Sequence, residues 1–211
     1  ITSATVTLGD SAVVTGSPSA TYGFVGTNAG AMISAPGYQP AAVAGIDTVP
    51  LTPWFGGVLL GKRYVLDAQG GTPRSAGVGA MGLAASHVNL RVANYLAGFL
   101  RNAGAEVKLA RTTEEVPLPE DVARMTNRWR ADGYIEIRHP GSSADSARAV
   151  HSYYFPGSAK GKVMTATIGG AAARRLSAAH RGPDETVTFP LQQTACPAVV
   201  LALPSIAIED E

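Results

Sequence analysis

The chain has 211 residues and a mass of 21.7 kDa, enough for one sizeable domain with a small module beside it. Apolar residues make up 45% of it, charged residues only 16%, and the net charge is +1. This near-neutral balance excludes a surface that holds nucleic acid through its charge. No apolar run reaches the roughly 18 residues of a membrane helix, so we expect no transmembrane segment.

Cysteine, glycine and proline narrow the class further. Cys196 is the only cysteine, which excludes an internal disulfide framework. The chain contains 24 glycines and 14 prolines, which excludes a coiled coil and indicates a globular protein rich in loops.

Short β-rich runs occupy the first quarter of the chain. Apolar and threonine-rich stretches at residues 5–8, 12–14 and 31–34 are separated by turn residues such as glycine, aspartate and proline. This pattern predicts a small β-sandwich-like module, or its C-terminal part, over residues 1–55. The stretch 51–57 then indicates a linker.

Strands and helices alternate over residues 56–211. In chain order, the sequence predicts a strand at 64–67, a helix at 86–102 with Ser86 as its N-cap, a strand at 105–109, a helix at about 119–130, strands at 134–138 and 149–155, a helix at 163–180 and a buried strand at 197–203. This alternation predicts a three-layer α/β/α domain with a mostly parallel sheet. Ligands of such sheets bind at the carboxyl ends of the strands.

Five short motifs in this second part carry a resemblance to a known family. They lie at residues 65–68, 82–90, 104–111, 131–137 and 197–201. In this order they resemble the zinc-dependent N-acetylmuramoyl-L-alanine amidases of bacterial cell walls, type 3. The resemblance implies a peptidoglycan substrate and a periplasmic or extracellular location. It also implies a zinc ion held by His, Glu and His, which activates water, and a further Glu that transfers protons.

The four positions that match this zinc site carry other residues here. Gln69 stands near the first ligand, Ala85 at the second, Arg138 at the third and Ala202 at the catalytic glutamate, with His139 one residue beyond Arg138. Alanine has no lone pair to offer, and a neutral amide is a poor zinc ligand. We therefore expect no metal or other cofactor. The main hypothesis is an amidase-like domain with a degenerate site that binds peptidoglycan or a cell-envelope protein.

Two alternatives stay open. The first is an active amidase with zinc in a rearranged site around His139, Glu136 and Gln69. Its weak candidate ligands are His139 together with His87 or His151, plus an acid. For Glu136 the simpler interpretation is a structural ion pair with Arg111 or Arg138. The second alternative is a non-catalytic interaction domain whose recognition lies in the β-rich module.

Other patterns favour ordinary loops. Residues 77–82 have the spacing Gly-x-Gly-x-x-Gly, but the loop is too long and lacks the acid of a dinucleotide site. Ser142, Ser143 and Asp145 follow His139 without the Gly-x-Ser-x-Gly turn of a serine hydrolase.

Overall fold

A computed structural model of the chain describes residues 4–8, 11–15, 32–34, 38–42, 52, 57–70, 82–140 and 148–206. The chain forms two compact units. The first comprises residues 1–61 and 95–106, and the second comprises residues 62–94 and 107–211. The predicted boundary between residues 55 and 56 stays a prediction.

The first unit contains a four-stranded antiparallel sheet. Its strands are β1 (Ala4–Leu8), β2 (Ser11–Thr15), β3 (Met32–Ser34) and β4 (Ala41–Ala42), in the order β2-β1-β3-β4. The three predicted β-rich runs overlap the first three strands. Most of the predicted linker at 51–57 lies outside the described residues.

The remaining elements alternate as the sequence predicts. They are β5 (Arg63–Ala68), α1 (Ala85–Asn102), β6 (Glu106–Leu109), α2 (Pro119–Arg128), β7 (Gly133–Arg138), β8 (Val150–Tyr154), α3 (Ala159–Arg175), β9 (His180–Glu185), α4 (Phe189–Gln193) and β10 (Ala198–Ala202). The six strands form one sheet in the order β6-β5-β7-β10-β8-β9. β7 lies parallel to both β5 and β10, whereas β8 runs antiparallel to β10. The mostly parallel sheet is confirmed.

Helices cover both faces of this sheet. Val122 of α2 and Leu191 of α4 pack in one apolar cluster with Val65, Tyr134 and Val200, which share a face because they are register partners or lie two residues from one. On the opposite face, α3 approaches Ser152 so closely that Gly169 leaves no room for a Cβ atom. The three-layer α/β/α prediction is therefore confirmed. Among the described helices, none is long and apolar enough to cross a membrane.

Three predicted boundaries are wrong. α1 begins at Ala85, so Ser86 lies within its first turn and is not the N-cap. α3 begins at Ala159 because the Ser158 hydroxyl accepts a hydrogen bond from the Gly161 amide at 3.1 Å. The same helix ends at Arg175, and His180 instead opens β9.

The sequence analysis did not predict two short elements, β9 and α4. The β9 sequence His-Arg-Gly-Pro-Asp-Glu has no apolar alternation, since this strand lies at the edge of the sheet. The helix α4 spans five residues, too few for a periodic pattern.

Candidate functional site

The carboxyl ends of β7 and β10 bring two of the predicted site residues side by side. Arg138 pairs in register with Ala202, and Ala202 pairs in turn with His151 of β8. Because directly paired residues project from the same face, these three side chains form one row across the carboxyl ends of β7 and β10. Two residues away along each strand, towards the middle of the sheet, the next row on this face contains Glu136, Val200 and Tyr153.

Arg138 links these two rows. Its guanidinium lies 5.6 Å from the centroid of the Tyr153 ring, a cation–π distance, and its Nη1 lies 3.8 Å from Glu136 Oε1. Of the two partners proposed for Glu136, Arg138 is the one that forms the ion pair. Tyr153 in turn stacks against His151 at 6.3 Å between ring centroids.

A buried carboxyl group, that of Glu136, and a partly buried one, that of Asp67, lie next to these rows. Asp67 and Glu136 are register partners on β5 and β7, and Asp67 Oδ2 accepts a 2.7 Å hydrogen bond from the Tyr134 hydroxyl. Burial raises the pKa of Glu136 to about 7, with Arg138 lowering it and Asp67 raising it further. Burial also raises the pKa of Asp67, against the Tyr134 hydrogen bond and the charge of Arg111. Glu136 is therefore partly protonated near neutral pH.

Arg111 holds the backbone around Gln69 and Ala85. Its side chain is buried, and it donates hydrogen bonds of 2.7 to 3.4 Å to four carbonyl oxygens, those of Ala68, Gln69, Ser86 and Thr113. Since Ser86 follows Ala85 directly, this one guanidinium fixes the end of β5 against the start of α1. The sequence shows only an arginine right after a predicted strand; its burial and its contacts with backbone carbonyl groups are known only from the structure.

Asn89 adds a second connection at the same edge. Its Nδ2 donates to the Gln69 carbonyl at 2.9 Å, and its Oδ1 lies 2.6 Å from His139 Nδ1. Since the amide oxygen accepts, His139 carries its proton on Nδ1. Burial lowers the pKa of His139 to about 4, so the ring is neutral at pH 7. Asn89 lies in one of the quoted motifs, but the sequence analysis assigned it no role.

The candidate His87 lies at the border of this network. It is exposed, and its Nε2 lies 3.3 Å from Glu114 Oε2, an atom that also lies 3.6 Å from Arg111 Nη1. His180, predicted at the end of a helix, instead opens β9, and its Nε2 lies 2.8 Å from the Ser152 hydroxyl. No contact between His139 and Glu136 is formed in the described part of the chain, since the first binds Asn89 and the second faces Arg138.

The metal-binding potential of the described ranges is low. Within them, no three His, Cys, Asp or Glu residues form a group that could hold a metal ion. The glycine-rich stretch 77–82 lies almost wholly outside the described residues, and Ser142, Ser143 and Asp145 lie outside them entirely. A cavity of about 310 Å³ lies instead at the amino end of β10, between the start of α3 and α4, where Lys160, Leu191 and Cys196 contribute to its lining.

Comparison with known proteins identifies the family of the larger part of the chain. A family model described as N-acetylmuramoyl-L-alanine amidase (Amidase_3) matches residues 65–211. No curated protein matches the chain significantly.

Solved amidase structures share the fold. The N-acetylmuramoyl-L-alanine amidase AmiC2 of Nostoc punctiforme matches with a TM-score of 0.61 and 17% identity, over 71% of this chain and 82% of that one. The catalytic domain of the amidase CwlV from Bacillus (Paenibacillus) polymyxa var. colistinus matches with a TM-score of 0.58 and 24% identity, over 69% of this chain and 81% of that one. The amidase Ami1 of Mycobacterium smegmatis matches with a TM-score of 0.58 and 14% identity, over 71% of this chain and 84% of that one. Because the family model covers well over half of the sequence, the chain belongs to the N-acetylmuramoyl-L-alanine amidase family.

Proposed function

We propose that this chain is a peptidoglycan-binding domain of the bacterial cell envelope, periplasmic or extracellular, that does not hydrolyse its ligand. The observation that carries the proposal is the set of residues at the four positions of the zinc site. Membership of an amidase family supports the substrate class. Two of these positions, at the carboxyl ends of β7 and β10, carry a guanidinium and a methyl group, those of Arg138 and Ala202.

The donor set does not fit zinc. Ala85 and Ala202 end at Cβ, and Arg138 is a permanent cation that repels a metal ion. Two imidazoles lie beside these positions: His139, whose Nδ1 already binds Asn89, and His151, which pairs in register with Ala202. Two histidines with no carboxylate at Ala85 or Ala202 still fall short of the three protein ligands that hold a catalytic zinc ion. We therefore derive no step through zinc.

An active hydrolase is the second candidate, and one observation favours it. Glu136 has a pKa of about 7, which suits a group that takes up and releases a proton at neutral pH. That carboxyl faces Arg138 and Asp67, however, and general acid–base chemistry on an amide also requires something to activate the attacking water. The described residues offer no arrangement for that task.

A protein partner in the envelope is compatible with the same proposal. The CwlD amidase of Clostridioides difficile has been solved in complex with the GerS lipoprotein, and its fold matches this chain with a TM-score of 0.59. An envelope lipoprotein is therefore a reasonable class to include among binding assays.

The test uses the full chain with purified peptidoglycan sacculi. We expect the chain to sediment with sacculi, to release no peptide from muropeptides, and to behave identically with zinc or a chelator. Peptide release that a chelator abolishes would establish the active hydrolase instead. Absence of sedimentation with sacculi would refute the binding function, and an envelope protein recovered through residues 1–55 would then favour the interaction domain.

A further inference from the structure

The Arg138 side chain retains hydrogen-bonding capacity at the edge of the sheet. It is 28% exposed, and its Nη1 lies 3.8 Å from Glu136 Oε1, which is too long for a hydrogen bond. Its other contact is with the face of the Tyr153 ring, which uses no N–H group. Among the described residues, none accepts a hydrogen bond from this guanidinium.

The neighbouring strand supplies no competing acid. Ala202 is the residue directly paired with Arg138, and an acidic side chain there would neutralise the guanidinium. Alanine leaves it without a carboxylate partner on β10. Glu136 and the Tyr153 ring meanwhile restrict the orientation of the guanidinium, so little rotamer freedom is lost when a ligand binds.

From this geometry we propose that Arg138, held against Tyr153 beside Ala202, binds a carboxylate of the peptide part of the ligand. A planar guanidinium with unused parallel N–H groups matches a carboxylate in a bidentate arrangement. The proposal rests on the proposed function, because it names the chemical group of the ligand that this same site recognises. In this protein a fixed organic cation therefore takes the place of a metal cation.

The test compares two small probes on the full chain by isothermal titration. N-acetyl-alanyl-alanine carries a free carboxylate, and its C-terminal amide does not. We expect the acid to bind and the amide to bind at least about tenfold more weakly, since only the acid offers the guanidinium a charge-assisted hydrogen bond. Equal affinity for both probes overturns the proposal. Stronger binding of inorganic phosphate than of the acid overturns the choice of a carboxylate.

Matched variants locate the site. Arg138→Gln removes the guanidinium, so we expect it to lose most of its affinity for the acid. Arg138→Lys keeps a positive charge beside Glu136 without the planar fork, so we expect it to lose only part of that affinity. Arg124→Gln is the control, since Arg124 is an exposed arginine of α2 paired with Asp121. Thermal melts establish that each variant is folded. Unchanged binding of the acid in Arg138→Lys and Arg138→Gln refutes the assignment to Arg138.

Binding to sacculi separates this inference from the proposed function. If the wild-type chain sediments with sacculi and Arg138→Gln does so equally well, only the role of Arg138 fails. If the wild-type chain does not sediment at all, the proposed function fails first.

Discussion

Glu136 shows how burial alone changes the behaviour of a carboxyl group. The residue is 7% exposed, and its neighbours are the cation Arg138 and the acid Asp67. Desolvation outweighs the attraction of the cation, and the pKa rises from 4.5 to about 7. The folded protein therefore keeps a proton on Glu136 at pH values where the unfolded chain has released it.

A pH-dependent stability measurement tests this state. Because the folded pKa is raised, Glu136 stabilises the fold fully below about pH 4.5, and this contribution is lost as pH rises to about 7. In Glu136→Gln the loss is absent. We expect its free energy of unfolding, relative to wild type, to rise by up to about 1.4 kcal/mol per pH unit across that interval.

Urea denaturation at half-unit pH steps gives the free energies. His139 titrates in the opposite sense, because burial lowers its pKa to about 4, and it remains in both proteins, so the difference between them isolates Glu136. The exposed acid Glu120 on α2 supplies the control variant Glu120→Gln. A difference that does not vary with pH for Glu136→Gln would contradict the raised pKa.

At the scale of elements, α3 and β8 approach each other at one glycine. A Cβ atom on Gly169 would overlap His180 Nε2 and lie 2.6 Å from Ser152 Oγ, two atoms that are joined by a hydrogen bond. The adjacent Gly170 has more room, with Arg174 Nη1 as the nearest atom at 3.5 Å. The two glycines thus occupy the same helix with opposite steric constraints.

These neighbours form a matched pair of variants. We expect Gly169→Ala to lower the free energy of unfolding by about 1–3 kcal/mol, because the helix must move away from β8 or the hydrogen bond must break. Gly170→Ala should leave it unchanged or raise it by about 0.5–1 kcal/mol, as alanine favours helix. Chemical denaturation of both variants is the measurement, and equal effects would contradict the close approach.

At the scale of the whole molecule, the four positions that match the zinc site come from distant parts of the chain. Gln69 follows β5, Ala85 opens α1, Arg138 ends β7 and Ala202 ends β10. Arg111 and Asn89 connect the first two of these segments through hydrogen bonds to backbone carbonyl groups. These hydrogen bonds fix the segment after β5 against the start of α1.

Restoring the four residues of the zinc site tests that assembly. The quadruple variant Gln69→His, Ala85→Glu, Arg138→His and Ala202→Glu should bind about one zinc ion per chain. Without zinc it should melt below wild type, because Ala85 and Ala202 are buried and an acid there is desolvated. Zinc should then raise its melting temperature.

Metal content and thermal melts with zinc or a chelator are the readouts. The triple variant that retains Ala85 is the control, since it lacks one of the three ligands. If the quadruple variant takes up no more zinc than wild type, the four positions do not converge as the family match implies.

Local sequence patterns were sufficient for most elements but not for their ends. The apolar periodicity of α1 and the buried run of β10 predict both elements to within a residue or two. The predicted end of α3 was wrong and the edge strand β9 was not predicted, because neither segment carries a distinctive apolar pattern. The position of Arg138 beside Ala202 follows from strand register, which links residues 64 positions apart and has no local signature.

Composition and the order of the motifs by themselves determined the class of this protein. The alternation of strands and helices predicts the layered sheet, five motifs indicate the amidase family, and Ala85 and Ala202 already lack the atoms that zinc needs. Only the tertiary structure decided which side chains surround Arg138 and Ala202. Register placed Arg138 over Tyr153 and beside Ala202, and burial gave Glu136 its raised pKa. The physical reason is that packing and desolvation depend on neighbours that are distant in sequence, whereas periodicity and motif residues are local.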